Sequence, residues 1–396
     1  MQRPTASPAL VIGLCLLASM LEGFDIQSMG VAGPSLAKAL ALSKSQMAWA
    51  FSASLFGLMG GAAGGGWLAD RLGRRPVLIA ATLIFGLFSL ATAAAQTYPL
   101  LVAARVLTGL GLGGAMPMLI AIAAERASAS RRTFMVTLIA AGMPLGGALV
   151  GLLARSSLGA DWRMIFVVGG LAPIAIAPAL WWWMPETLVK PAAADPPRQN
   201  ALKVLFAPER LPTTLLLWIG YTATALVLHL FLNWLPTLLI ARGFDKNEAA
   251  LVSMLFNLGG AAGSLLIGLS IDRLGGRWPL TVVFLALAGV IQALAGATVG
   301  LAPTALMGFV AGGLLVGGQF GLYGIGPHYY ALPVRGRGVG AAVAAGRLGS
   351  ALGPLAAGQL LTAGASAGQV TAATVPIVLL AGLAALLLSF FGKPQD

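Results

Sequence analysis

Apolar residues fill this chain in long runs that recur from one end to the other, broken by short turns rich in Gly, Pro and charge. Each run holds about 18 residues or more, enough to cross a hydrocarbon core of roughly 30 Å as a helix rising about 1.5 Å per residue. The breaks predict spans at 9–31, 47–69, 76–96, 99–124, 133–154, 163–184, 213–238, 249–270, 279–299, 304–327, 339–361 and 372–391. The period-two alternation of a membrane barrel is absent from them. Lipid offers no partner to an unpaired backbone N–H or C=O, so such runs fit a bundle of helices. The predicted fold is all-α and integral to the membrane, with twelve transmembrane helices.

Composition agrees. Of 396 residues, 58% are hydrophobic and 9% charged, against roughly 25% charged in an ordinary soluble domain. The 24 Lys and Arg against 12 Asp and Glu leave a formal charge of +12, an excess that elsewhere would suggest a nucleic-acid partner. Here the basic residues sit in short turns between apolar runs, which argues for topology instead of nucleic acid. With the N-terminus inside, cytoplasmic segments hold sixteen Lys and Arg and outer segments six, which places both termini in the cytoplasm. Cys15 is the one cysteine, so no intramolecular disulfide forms. Arg3 and the apolar stretch after it resemble a signal peptide, but the stretch runs on to about Val31 and eleven more follow, so it reads as an uncleaved first span.

The longest polar segment, from about Pro185 to Leu211, holds Lys190, Asp195, Pro196, Pro197 and Arg198 and follows six spans with six remaining. It reads as a cytoplasmic linker, 185–211, between six-helix bundles at 1–184 and 212–396. A repeat supports the division: Gly66, Asp70, Arg71, Gly73 and Arg75 after the second span recur 202 residues later as Gly268, Asp272, Arg273, Gly275 and Arg277 after the eighth.

The first copy, Gly66-Trp-Leu-Ala-Asp70-Arg71-Leu-Gly73-Arg74-Arg75, resembles the loop signature of the major facilitator superfamily, and span count, linker and repeat extend the resemblance over the whole chain. In the first span, Glu22-Gly23-Phe24-Asp25-Ile26-Gln27 resembles the acidic-Gly-aromatic-Asp motif of the aromatic acid:proton symporters, with Glu where most members have Asp. Together with Phe51-Ser52-Ala53, Gly346-Arg347-Leu348-Gly349 and Gly353-Pro354, the pattern is most similar to members that carry 3-phenylpropionate and 3-(3-hydroxyphenyl)propionate. The resemblance implies two six-helix halves in a bacterial inner membrane, with a small solute moving between them.

Several polar residues stand out on this background. Asp70 and Asp272 end helices beside arginines, where a carboxylate can pair with arginine and favour a neighbouring helix N-terminus. With Arg71, Arg74, Arg75, Arg273, Glu125 and Glu186 they are expected to close the cytoplasmic side, against the simpler reading that such charges only anchor topology. Glu22 and Asp25 are the acids within the predicted spans proper, where a buried charge costs at least about 2.5 to 3.5 kcal/mol on insertion scales. Three apart, they share a helix face and suit a proton carrier with coupled titrations, the alternative being a permanent structural pair. Arg105 lies in the same outer half of the membrane as Asp25, so the two can pair, unless Arg105 snorkels to the interface.

Arg347 should lie roughly 14 Å up the eleventh span, near the midplane where such transporters bind solute. A guanidinium there can grip a carboxylate by two parallel bonds; the alternative is a structural pair with Glu22 or Asp25. Gln27, Tyr221, Asn233, Trp234, Gln319 and Tyr323 are candidates to hold a ring and its hydroxyls, although each type also serves as packing or helix glue. His229 and His328 read as hydrogen-bonded interface residues, and Trp181 to Trp183 as an aromatic belt. No metal-ligand cluster, phosphate loop or catalytic triad stands out, so neither enzyme activity, metal nor cofactor is expected.

The expected function is uptake of an aromatic monocarboxylate with protons by alternating access, in a monomer whose partners are the solute, protons and lipid. A drug:proton antiporter is the runner-up, with Gly142-Met-Pro144-Leu-Gly146-Gly147 as a partial cue that lacks the adjoining Gly-Pro of the antiporter signature. A membrane receptor that binds the solute without moving it is the rival from another class.

Overall fold

Three helix starts show how local sequence sets the spans. Ser43 accepts from the backbone N–H of Gln46 while the Gln46 side chain accepts from Ser43, a reciprocal capping box. Asp245 and Glu248 repeat it 202 residues on, with bonds of 2.7 and 2.9 Å. Ser366 and Gln369 make a third. The internal repeat thus extends to the start of the span, beyond the five matched loop positions.

The computed structural model describes residues 7–126, 132–186, 205–274, 277–296, 300–330 and 332–391. Among them, twelve spans are long and apolar enough to cross a membrane. Eleven are single helices: α1 Pro8–Ala39, α2 Lys44–Leu72, α3 Arg74–Ala93, α4 Tyr98–Arg126, α5 Arg132–Ala154, α6 Trp162–Trp183, α7 Leu211–Ile240, α8 Lys246–Leu274, α9 Arg277–Gly296, α10 Leu301–Ile325 and α11 Leu332–Thr362. The twelfth joins α12, Ala367–Ala372, to α13, Val375–Phe391. It breaks there because Pro376 has no N–H to offer the carbonyl one turn back.

Two edges differ from the sequence expectation. α1 continues past Pro34 to Ala39, since one proline removes a single backbone bond and membrane helices tolerate that when packed. α11 begins at Leu332, although Arg335-Gly-Arg337-Gly reads as a turn; the Arg335 side chain donates to the Tyr330 carbonyl at 3.1 Å and so braces the helix start.

The chain forms two compact units, Met1–Ala193 with Asp245–Met254, and Ala194–Phe244 with Leu255–Asp396. Of the expected linker, residues 187–204 lie outside the described residues. The start of α8 belongs to the first unit, where Lys246 donates to the Ala160 carbonyl at 3.1 Å and Arg155 to the Asn247 carbonyl at 3.0 Å. Within the first unit α2 packs on α4, α1 on α5, and α3 on α4 and α6. Within the second, α7 packs on α11 and α13, and α9 on α10 and α13.

Close packing rests on glycines that let backbones meet. A Cβ on Gly57 or Gly61 of α2 would lie 2.0 or 2.1 Å from a carbonyl oxygen of α4. Their counterparts 202 residues on, Gly259 and Gly263 of α8, would meet α10 carbonyls at 1.9 and 2.1 Å. Gly64, one turn from Gly61, faces open space. Gly61→Ala is therefore expected to lower the thermal unfolding midpoint in detergent, whereas Gly64→Ala should be neutral or gain up to about 1 kcal/mol from helix propensity. Equal midpoints for the two variants would contradict this packing account.

Candidate functional site

In the first unit, the middle of α1 carries five buried polar residues: Ser19, Glu22, Asp25, Gln27 and Ser28. Asp25 receives both guanidinium nitrogens of Arg105 from α4, at 3.2 and 2.9 Å, and both side chains are 0% exposed. The fork geometry makes each bond charge-assisted and fixes the orientation of both partners. Phe166 of α6 covers the guanidinium, its ring centre 5.7 Å away. Arg105 thus turns inward and does not snorkel. Burying the two charges costs several kcal/mol per ion before their attraction offsets it, so this pair is weak as a device for stability alone. Glu22 and Gln27 are each 2% exposed beside it on α1.

The second unit gathers a different set. Arg347 stands half-buried at the midpoint of the 31-residue α11 and makes no ion pair or hydrogen bond among the described residues. His229 of α7 and Tyr323 of α10 lie within its electrostatic reach. His229 Nδ1 bonds the Ala225 carbonyl at 3.0 Å; a carbonyl only accepts, so Nδ1 carries the proton and Nε2 is the remaining polar atom. Asn233, one turn further along α7, donates its amide to the His229 carbonyl at 2.8 Å. The Tyr323 ring lies 4.8 Å from that of Tyr221 and 6.0 Å, edge on, from that of Phe320. Gln319, one turn before Tyr323, completes the set.

Two of the residues expected to contact a solute also bond within the second unit. Tyr221 is fully buried with its hydroxyl donated to the Leu322 carbonyl at 3.0 Å, and Trp234 is fully buried with its indole N–H donated to the Pro354 carbonyl at 2.9 Å. Their polar atoms brace α7 against α10 and α11. His229 enters the set unforeseen; its spacing of four from Asn233 was the signal that both share one face of α7. Gln27 lies on α1 in the first unit, apart from this set.

Around the α2–α3 turn of the first unit, the arginines do not pair with Asp70 among the described residues. Arg71 lies over the Trp67 ring at 3.9 Å, Arg74 pairs with Glu125, and Arg75, largely buried, donates to the Trp181 carbonyl. The Glu186 carboxylate lies against Gly73, which takes φ +93° in the α2–α3 turn. Asp70 is exposed and makes no ion pair among the described residues. Arg273 is exposed, and the side chain of Asp272 lies outside the described residues.

A groove of about 370 Å³ runs along α2, α3 and α4, lined by Gly60, Gly64, Leu68, Leu72, Val77 and other apolar residues. It has no polar group to orient a solute, so it is not the candidate site. Among the described residues no three His, Cys, Asp or Glu side chains gather to hold a metal.

Twelve apolar spans in two units, with an ion pair sealed inside one and an unpaired arginine at mid-span in the other, define a multi-pass membrane transporter. The chain belongs to the Major Facilitator Superfamily, whose sequence profile matches residues 15–354. It is 44% identical to a 3-(3-hydroxy-phenyl)propionate transporter of Escherichia coli K12, over 96% of this chain and 93% of that one. It is 32% identical to a gallate transporter of Pseudomonas putida, covering 90% and 86%. A D-xylose–proton symporter of known structure superposes with a TM-score of 0.77 at 18% identity, covering 98% of each chain, which shows the shared fold. These proteins are transporters and not enzymes, and so is this chain.

Proposed function

We propose that this protein takes up an aromatic monocarboxylate together with protons, by alternating access, across a bacterial inner membrane with both termini cytoplasmic and the monomer as working unit. The observation that carries the reading is Arg347, a cation at mid-span with no counter-ion among the described residues. A permanent charge at that depth is costly and is kept where it meets a charged cargo. The second unit offers no buried acid to neutralise it among its buried polar residues. A carboxylate fits its two-pronged fork, and the aromatic side chains of Tyr323 and Phe320 offer a surface to a ring. Relatives named for hydroxyphenylpropionate and gallate support an organic anion over a cationic drug.

Proton coupling is assigned to Asp25, Glu22 and Arg105. Protonating Asp25 removes one charge from the fork, so the Arg105 pair loosens; deprotonation restores it. Glu22, one turn away on the same helix, is the second carboxyl of this assignment. The cytoplasmic charges Asp70, Arg71, Arg74, Arg75, Glu125, Glu186, Asp272 and Arg273 are assigned to closing that side in one half of the cycle. Asp70→Asn is then expected to raise the inward-facing population, so that a cysteine placed in the cytoplasmic cavity labels faster. Unchanged labelling would leave Asp70 with topology alone.

The site reading is tested by binding to purified protein. A phenylpropionate-type acid should bind and its neutral amide should not; equal binding of the two would overturn the assignment of Arg347.

A further inference from the structure

Gln319 is 3% exposed, and both atoms of its amide, Oε1 and Nε2, are buried without a hydrogen-bond partner. Few buried side-chain polar atoms in folded proteins stay unpaired, and an amide holds two donors and an acceptor. The side chain approaches the Tyr323 hydroxyl without completing a bond to it, one helical turn away on α10. Tyr323 in turn lies within reach of Arg347, so the amide stands one residue removed from the guanidinium. No full hydrogen bond holds the amide at rest among the described residues, so turning toward a solute gives up only its weak contact with Tyr323.

We propose that Gln319 reads a hydroxyl on the ring of the solute, which narrows the cargo to hydroxylated aryl carboxylates. A phenolic O–H donates once and accepts through its oxygen. A carboxamide presents the complementary acceptor and donor side by side, and the two groups can satisfy each other. The carboxylate at Arg347 and the hydroxyl at Gln319 then fix the two ends of one molecule, with Tyr323 within reach of both residues. The assignment rests on the reading of Arg347 as the carboxylate site. It adds a specificity rule: a solute lacking the hydroxyl leaves the amide unpaired and pays for its own burial without return. Sites built around a hydroxyl reject the analogue lacking it more strongly than apolar pockets reject an extra methylene.

Affinities of purified protein in nanodiscs for 3-phenylpropionate, its 3-hydroxy derivative and its 3-methoxy derivative test this. Wild-type protein is expected to favour the hydroxylated acid by about tenfold or more over both others. Gln319→Met, close in length but without the amide, should erase that preference by weakening only the hydroxylated acid. Equal wild-type affinity for the three acids overturns the proposal without any variant, as does a preference that survives in Gln319→Met. Should Gln319→Met fail to fold, ring hydroxyls at positions 2, 3 and 4 compared on wild-type protein decide it, since one amide should select one position; no discrimination by position would overturn it. If wild-type protein binds none of the acids, the carboxylate reading fails first and this inference with it.

Discussion

Asp25→Asn protein in sealed vesicles is expected to exchange labelled aromatic acid across the membrane but to accumulate none against its gradient when a pH difference is imposed. Asparagine mimics the protonated carboxyl permanently, and neither binding nor exchange needs net proton movement. The structure adds a second expectation. Asp25 and Arg105 are both 0% exposed, so removing one charge strands the other, and breaking a buried pair in this way costs about 3 to 5 kcal/mol. The variant should therefore unfold at lower temperature. Asp25→Asn with Arg105→Gln removes both charges and should recover much of that stability while uphill transport stays absent. Separating the two effects matters, because a merely unstable protein would lose exchange as well. If Asp25→Asn protein still concentrates the acid, the proton travels elsewhere, and Glu22 is the next carboxyl to replace.

Arg347→Ala should weaken acid binding by about a hundredfold, and Arg347→Lys by at least about tenfold although its charge is kept, because an ammonium cannot form the planar fork. Arg347 makes no hydrogen bond or ion pair among the described residues, so neither change should lower the unfolding temperature appreciably. Loss of affinity without loss of stability distinguishes a solute contact from a structural strut. Calorimetry on purified variants reads both quantities. Parallel loss of stability and affinity would recast Arg347 as part of the framework.

The spans were legible because lipid imposes one rule along the whole chain, and apolar length alone satisfies it. The pairing of Asp25 with Arg105 was legible as well, since depth along two helices put acid and base at one level before any packing was known. The carbonyls that Tyr221 and Trp234 meet were not, because each lies on a helix 101 or 120 residues away. His229 read as a hydrogen-bonded interface residue, and it does bond the Ala225 carbonyl; its reach to Arg347 was not legible, because that depends on how α7 packs on α11. Asp70 shows a third limit. Sequence put three arginines beside Asp70, yet Arg74 meets Glu125 at the end of α4, Arg75 meets the Trp181 carbonyl at the end of α6 and Arg71 lies over Trp67, partners that adjacency in the loop does not set.

The central claim is that proton influx drives accumulation of an aromatic carboxylate. Purified protein in vesicles with an imposed inward pH gradient, and no other energy source, measures it directly with labelled 3-(3-hydroxyphenyl)propionate. The expected result is accumulation above the outside concentration that a protonophore collapses. A membrane potential should add to it only if more than one proton accompanies each anion, by about 2.3 kcal/mol per 100 mV for each extra charge. Label that binds but never accumulates, or that only equilibrates under the gradient, would contradict the account.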